Sequence, residues 1–161
     1  MSSVRLRDRL RPGDIGHVVY RHGVLYARER GWDHRFEAYV AGPLAEFALR
    51  HDPERERMWL AEIGERIVGS IAIVSGEANA AQLRWYLVEP DCRGMGVGRL
   101  LLHEALAFCR ATERTHVYLW TVTGLEAAAH LYRSAGFVRT KTEASERWGA
   151  PAVEERYDLA L

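Results

Sequence analysis

The stretch Cys92-Arg93-Gly94-Met95-Gly96-Val97-Gly98-Arg99 carries glycine at every second position, with an arginine on either side. The apolar run LRWYLV precedes it and the helical pattern RLLLHEAL follows. Each glycine costs backbone entropy on folding, so three at the mouth of a helix need a reason. The first turn of a helix presents N–H groups with no intrahelical acceptor, at the positive end of the helix dipole. Phosphate oxygens suit that place, and the absent Cβ atoms let them come close. Arg93 and Arg99 add charge. The stretch reads as a cradle for a diphosphate, although the same glycines also suit a turn packed tightly against its helix. A P-loop would follow its last glycine with Lys and Ser or Thr, but Arg99 and Leu100 stand there. A dinucleotide site of the Rossmann kind would end the next strand on an acidic residue, but HVYLW runs into Thr121, Val122 and Thr123.

Other residues could move protons. His22, Tyr26 and Glu29 are spaced i, i+4, i+7, which places them on one helix face. His22 at its ordinary pKa could accept a proton near neutrality. The plainer reading packs Tyr26 inward and leaves His22 and Glu29 as a surface pair. Cys92 lies where helix-end amides would lower a thiol pKa, but no base partner is visible near it. Cys109, among apolar neighbours, reads as core. The seven histidines are scattered, with no paired spacing for a metal.

The elements that must position these residues follow from pattern and punctuation. VRLRDRL, residues 4–10, alternates as a strand and stops at Pro12-Gly13. Asp14 is placed to cap a helix through Arg30, with Gly31 as its stop. A second helix runs from about Asp33 to Leu49, with a kink or break expected at Gly42-Pro43. MWLAEI, RIVGSIAIVS and AQLRWYLV read as a three-stranded meander turning first at Gly64. On the third strand, strict alternation puts Gln82, Arg84 and Tyr86 on one face, with no carboxylate among them. Then come a helix from Gly98 to about Ala111, the strand HVYLWTV, a short helix stopped by Gly136, and the closing strands VRTKTEAS and VEERYDLAL. The order β-α-α-β-β-β-α-β-α-β-β combines hairpins with one strand–helix–strand crossover, so the sheet must be mixed.

Composition narrows the class. The 161 residues are 48% apolar, with 22 basic and 22 acidic side chains. That size suits one domain spanning 1–161, and the charge balance argues against a nucleic-acid partner. No apolar run reaches the roughly 18 residues of a membrane span. The N-terminal MSSVRLRDRLRPGD lacks the apolar core of a signal peptide, so a cytoplasmic location without membrane attachment is expected.

R-x-x-G-x-G at Arg93–Gly98, after the strand LRWYLVEP and well before AHLYRSAGF, resembles the GCN5-related N-acetyltransferase (GNAT) superfamily. The likeness includes the order of elements along nearly the whole chain. RPGDIGHVVYRHGVLYARERGWDHRFE and WGAPAVEERYDLAL look like the acetyltransferase half of MarR-type regulators fused to a GNAT domain, without room for their winged-helix half. The resemblance implies an α+β (α/β) fold, a mixed, mostly antiparallel sheet flanked by about four helices. It implies acetyl-CoA as cosubstrate, no metal, and direct transfer of acetyl to a primary amine on a small molecule or a protein.

Residue roles carried over from the resemblance are these. The amides of Arg93, Gly94, Met95, Gly96, Val97, Gly98 and Arg99 would hold the diphosphate. The backbone of Leu87 and Val88 would hold the pantetheine arm where the strand splays from its neighbour. Tyr132 would be the general acid for the leaving thiolate, though it could equally pack beside Leu131 and Phe137. Glu62, on the strand before the hairpin turn, and His22, beside the acceptor pocket, are the candidate bases, although Glu62 also reads as a solvated strand-end charge. Trp32, Trp85, Trp120 and Trp148 could wall that pocket. Leu125 stands where the family often has a cofactor-binding asparagine, leaving Thr121 or Thr123 to substitute. A homodimer is common for such folds. The rival readings are a non-catalytic acyl-CoA-binding sensor and a regulatory partner of a separate DNA-binding chain.

Overall fold

Met58-Trp59-Leu60-Ala61 and Val68–Ile73 are apolar at nearly every position, a pattern a strand needs only when both its faces are covered. Both are covered here. The computed structural model describes residues 3–161. Among them are seven strands, β1 (Val4–Arg7), β2 (Arg57–Ile63), β3 (Arg66–Ser75), β4 (Ala80–Val88), β5 (His116–Val122), β6 (Val138–Ser145) and β7 (Ala152–Ala160), and four α-helices, α1 (Asp14–Arg30), α2 (His34–Arg50), α3 (Val97–Ala111) and α4 (Glu126–Ser134). The sheet order is β1-β2-β3-β4-β5-β7-β6. Every pairing is antiparallel except β4 with β5, which the α3 crossover makes parallel.

Two apolar clusters sandwich the sheet. Val18 of α1 and Phe36, Val40, Leu44 and Phe47 of α2 pack on Met58, Leu60, Ala72 and Trp85. Leu101, Leu102, Ala105 and Phe108 of α3 and Tyr132 of α4 pack on Trp59, Ala61, Ile71, Ile73 and Leu83 from the other side. Adjacent residues of β2 thus serve opposite layers, which explains the unbroken apolar run.

Three sequence expectations are corrected. β1 ends at Arg7 rather than residue 10, because Arg7 bonds the Arg9 carbonyl and the Asp14 carboxylate and turns the chain off the sheet. Asp14 is the first residue of α1, not its cap; Gly13 holds that position, and the Asp14 carboxylate is taken by Arg7 and the Arg11 amide. α2 runs unbroken through Pro43. Its buried stripe of Phe36, Val40, Leu44 and Phe47 holds both halves against the sheet and outweighs the lost hydrogen bond.

Candidate active site

β4 and β5 part company early. They pair only from Ala80↔His116 to Gln82↔Tyr118. Beyond that β5 stays with β7, and β4 stays with β3 as far as Val88↔Gly69. The edge of β4 from Leu83 to Val88 that faces β5 therefore has no strand partner, and Leu87 and Val88 lie on it. Within this segment Trp85 has φ +50°, left-handed for a bulky residue. The register against β3 slips between Ser70 and Ala72, and the Ser70 hydroxyl donates to the Trp85 carbonyl at 2.7 Å. This bulge re-aims side chains. Arg84 and Trp85 both turn toward the α1/α2 layer, whereas Tyr86 turns toward α3 and donates its hydroxyl to the Gly98 carbonyl at 2.6 Å. The expectation that Arg84 and Tyr86 share a face fails at this bulge.

β4 leads into the glycine stretch through a turn of 3-10 helix, Pro90–Cys92. Gly94 and Gly96 take φ +79° and +83°, and a Cβ on either would meet open space. α3 starts at Val97, one residue before the sequence expectation, and no side chain caps it. Among the described residues the amides of Gly94 through Arg99 find no acceptor, whereas Arg93 N–H bonds the Pro90 carbonyl and Leu100 N–H bonds that of Gly96. Gly98 is small for a different reason. A Cβ there would stand 2.8 Å from the Tyr86 hydroxyl and 3.2 Å from Leu131. α1 braces the stretch. Buried Glu89 takes two bonds from Arg21, at 2.6 and 2.8 Å, and Glu29 pairs with Arg93 at 2.9 Å. Glu29 of the sequence-read stripe is thus bound to the loop, while His22 and Tyr26 line a cleft.

That cleft, about 120 Å³, reaches both layers of the molecule through the gap between β4 and β5. Tyr132, in the last turn of α4, lines it with Tyr86, the two rings 6.0 Å apart. Phe137 and Tyr157 hold the Tyr132 ring from other sides. No described residue hydrogen-bonds its hydroxyl, and burial pushes its pKa well above the usual phenol value, so it keeps its proton at neutrality. His22 lies across the cleft on α1, with Nδ1 2.8 Å from the Val18 carbonyl. A carbonyl can only accept, so Nδ1 carries the proton and Nε2 the lone pair. His22 is buried rather than on the surface, and burial pushes its pKa down from the ordinary value expected from sequence to about 4, so the ring is neutral at pH 7.

Glu62 is placed elsewhere. It does not line the cleft; it is buried at the β1 side of the sheet, with Arg5 at 2.9 Å and Arg7 at 2.8 Å on its carboxylate. The only carboxylate lining the cleft among the described residues is Glu154 of β7, paired with Arg147 at 2.6 Å. Sequence reading missed Glu154 and placed Arg84 on the wrong face, because Glu154-Glu155 breaks the alternation of β7 and nothing in LRWYLV marks a bulge. All four tryptophans named from sequence line the cleft. Leu125 and Thr121 line it too, while Thr123 directs its hydroxyl to the Val153 carbonyl. Cys92 is buried, with a thiol pKa raised by that burial, which removes the nucleophile reading. No group of three His, Cys, Asp or Glu residues among those described could hold a metal ion, and no described helix is long and apolar enough to cross a membrane.

Comparisons with known proteins agree with this geometry. Residues 16–137 match the family described as Acetyltransferase (GNAT) family. A mycothiol acetyltransferase of Nocardioides is 39% identical over 104 residues, which is 63% of this chain and 31% of that protein. The chain spans about a third or less of the length of the curated relatives it matches. An acetyltransferase from Streptococcus agalactiae shares the fold over the whole of both chains, with TM-score 0.77 at 19% identity. A Bacillus anthracis acetyltransferase in complex with acetyl coenzyme A aligns over 68% of this chain and 66% of its own, with TM-score 0.60 at 21% identity. These relatives give no support to the MarR-type part of the resemblance. A mixed sheet splayed at its one parallel pair, an uncapped helix after R-x-x-G-x-G, and the match over residues 16–137 together establish that the chain belongs to the GNAT acetyltransferase family, whose members use acetyl-CoA.

Proposed function

We propose that residues 1–161 form a single cytoplasmic domain that transfers acetyl from acetyl-CoA to a primary amine on a small molecule or a protein. The observation that carries this reading is the continuity of three features. The unpartnered amides of Gly94–Arg99 follow the unpaired edge of β4, Leu83–Val88, whose Leu83–Tyr86 part lines the cleft together with Tyr132. The residues fit the coenzyme: a Cβ on Gly94 or Gly96 would meet only open space, and the first-turn donors of α3 lack acceptors.

When bound, acetyl-CoA supplies the acetyl group as a thioester within reach of the amine. Gly94 through Arg99 would hold the diphosphate by their N–H groups, whereas the Arg93 N–H expected to join them is given to the Pro90 carbonyl, and Leu87 and Val88 offer backbone partners to the pantetheine amides. His22 Nε2 takes the proton that the amine nitrogen sheds on acylation. Tyr132 Oη holds the proton that the departing sulfur needs. Glu62, with both oxygens engaged by arginines away from the cleft, has a structural part instead.

Release of free thiol from acetyl-CoA, measured with and without a panel of primary amines, tests the reading. Thiol that appears only when an amine is present supports transfer. Coenzyme binding without turnover across the panel favours the sensor reading, to which Leu125 lends weight because it has no donor for the cofactor.

The cradle makes its own prediction. Gly96→Ala puts a Cβ on a backbone at φ +83°, which costs about 1–2 kcal/mol of stability. It also puts a methyl group into the open space beside the unpartnered amides. Acetyl-CoA titrated calorimetrically should bind about tenfold more weakly, a loss of roughly 1.4 kcal/mol. Unchanged affinity in a folded variant would remove the diphosphate from this loop.

A further inference from the structure

The α1/α2 end of the cleft is walled by rings. Tyr26, Trp32, Phe36, Tyr39 and Trp148 line it and lie against one another with centroids 4.5–6.0 Å apart. Two guanidiniums border this wall. That of Arg147 rests on Tyr39 and Trp148, at 4.7 and 4.5 Å, and its charge is met by Glu154 at 2.6 Å. That of Arg84 lines the cleft between Tyr39 and Trp85, at 5.9 and 4.9 Å, and meets nothing. Among the described residues no carboxylate and no other acceptor lies within bonding distance of it. The bulge that turns Arg84 toward the cleft also places Trp85 beside it, whose buried indole N–H has no acceptor.

The charges of this end do not cancel. Glu154 and Arg147 neutralise each other and His22 is neutral, so Arg84 leaves the cleft positive. A guanidinium in a confined, ring-walled site binds a carboxylate by paired charge-assisted hydrogen bonds. The rings beside it bury a flat apolar group edge or face on.

We propose that the acceptor is an amine that also carries a carboxylate and a flat apolar group, as an aromatic amino acid does. The carboxylate goes to Arg84, the flat group to the ring wall, and the amine faces His22 and Tyr132. This rests on the acetyltransferase reading above and keeps its chemistry. A C–N bond forms and the C–S bond breaks, the nitrogen gives up one proton and the sulfur gains one, and the carboxylate is unchanged.

The test compares matched acceptors in the thiol-release assay. L-tryptophan, L-tyrosine and L-phenylalanine are set against tryptamine, tyramine and phenethylamine, which differ only by the carboxylate. Each amino acid should show kcat/KM about 10–10²-fold above its decarboxylated partner, the range that hydrogen bonds to a charged group support. In Arg84→Met that advantage should vanish, with the affinity for acetyl-CoA as in the parent protein. The parent panel decides the matter even if the variant misfolds. Equal or better turnover of the decarboxylated amines overturns the proposal, as does turnover of no panel member by protein that binds acetyl-CoA. In both cases the coenzyme reading stands. Absence of acetyl-CoA binding overturns the two together.

Discussion

Tyr132→Phe should lower kcat by about 10²–10⁴-fold, the range for loss of a positioned general acid. The ring is held by Tyr86, Phe137 and Tyr157, and phenylalanine keeps those contacts. The hydroxyl bonds no described residue, so its removal leaves no protein group unsatisfied. The variant should therefore melt close to the parent and bind acetyl-CoA with a dissociation constant within about threefold of it, because only an interaction made in the transition state has been lost. Burial holds the phenol pKa well above its usual value, so activity should not fall from loss of this proton at moderately alkaline pH. Single-turnover thiol release, beside coenzyme affinity by calorimetry, separates the two effects. A folded Tyr132→Phe protein with undiminished kcat would show that the thiolate is protonated from elsewhere or leaves unaided.

Most of the fold and half of the site were legible because they rest on local chemistry. Alternating glycines before an amphipathic helix point to where bare amides lie, and the amides of Gly94–Arg99 have no acceptor among the described residues. The parallel pair of β4 and β5 follows from a helix between two strands. What escaped the sequence depends on tertiary compensation. Pro43 reads as a break until the buried stripe on both sides of it is counted. Asp14 reads as a cap until Arg7 arrives from another element to claim its carboxylate. Arg84 looks like a neighbour of Tyr86 on one strand face, and only the Trp85 bulge sends them to opposite layers. Glu62 was read as a candidate base from its strand alone, and its two arginines lie 55 and 57 residues away in sequence.

The Arg7–Asp14–Glu62 cluster should control stability rather than rate. Arg7 bridges both carboxylates, at 2.7 and 2.8 Å, and all three side chains are nearly sealed from solvent. Burial works against ionisation of Asp14 and Glu62, but hydrogen bonds from Arg7, with Arg5 also on Glu62, outweigh it and hold both carboxyls below their ordinary values. Arg7→Met leaves the buried Asp14 carboxylate with only the Arg11 amide and Glu62 with only Arg5, and should cost about 3–5 kcal/mol at pH 7. Since each kcal/mol moves the midpoint of a chain this size by about 2–4 °C, melting should fall by roughly 10 °C. The sign of the pH dependence follows from the lowered carboxyl values. Their stabilisation is complete above the unfolded values of 3.8 and 4.5 and is lost as pH falls through the lower folded ones. His22 acts in a separate window. Its pKa drops from 6.5 unfolded to about 4 folded, so the unfolded chain binds the extra proton and about 3 kcal/mol is lost as pH falls from about 6.5 to 4. Acid unfolding should therefore show two limbs. His22→Gln should remove the upper one and spare the lower, while the difference between Arg7→Met and the parent should shrink at the acid end, where the carboxyls are protonated in both. Glu62→Gln should lower the melting temperature and leave kcat of the folded protein unchanged. Loss of kcat there without loss of stability would return Glu62 to the chemistry.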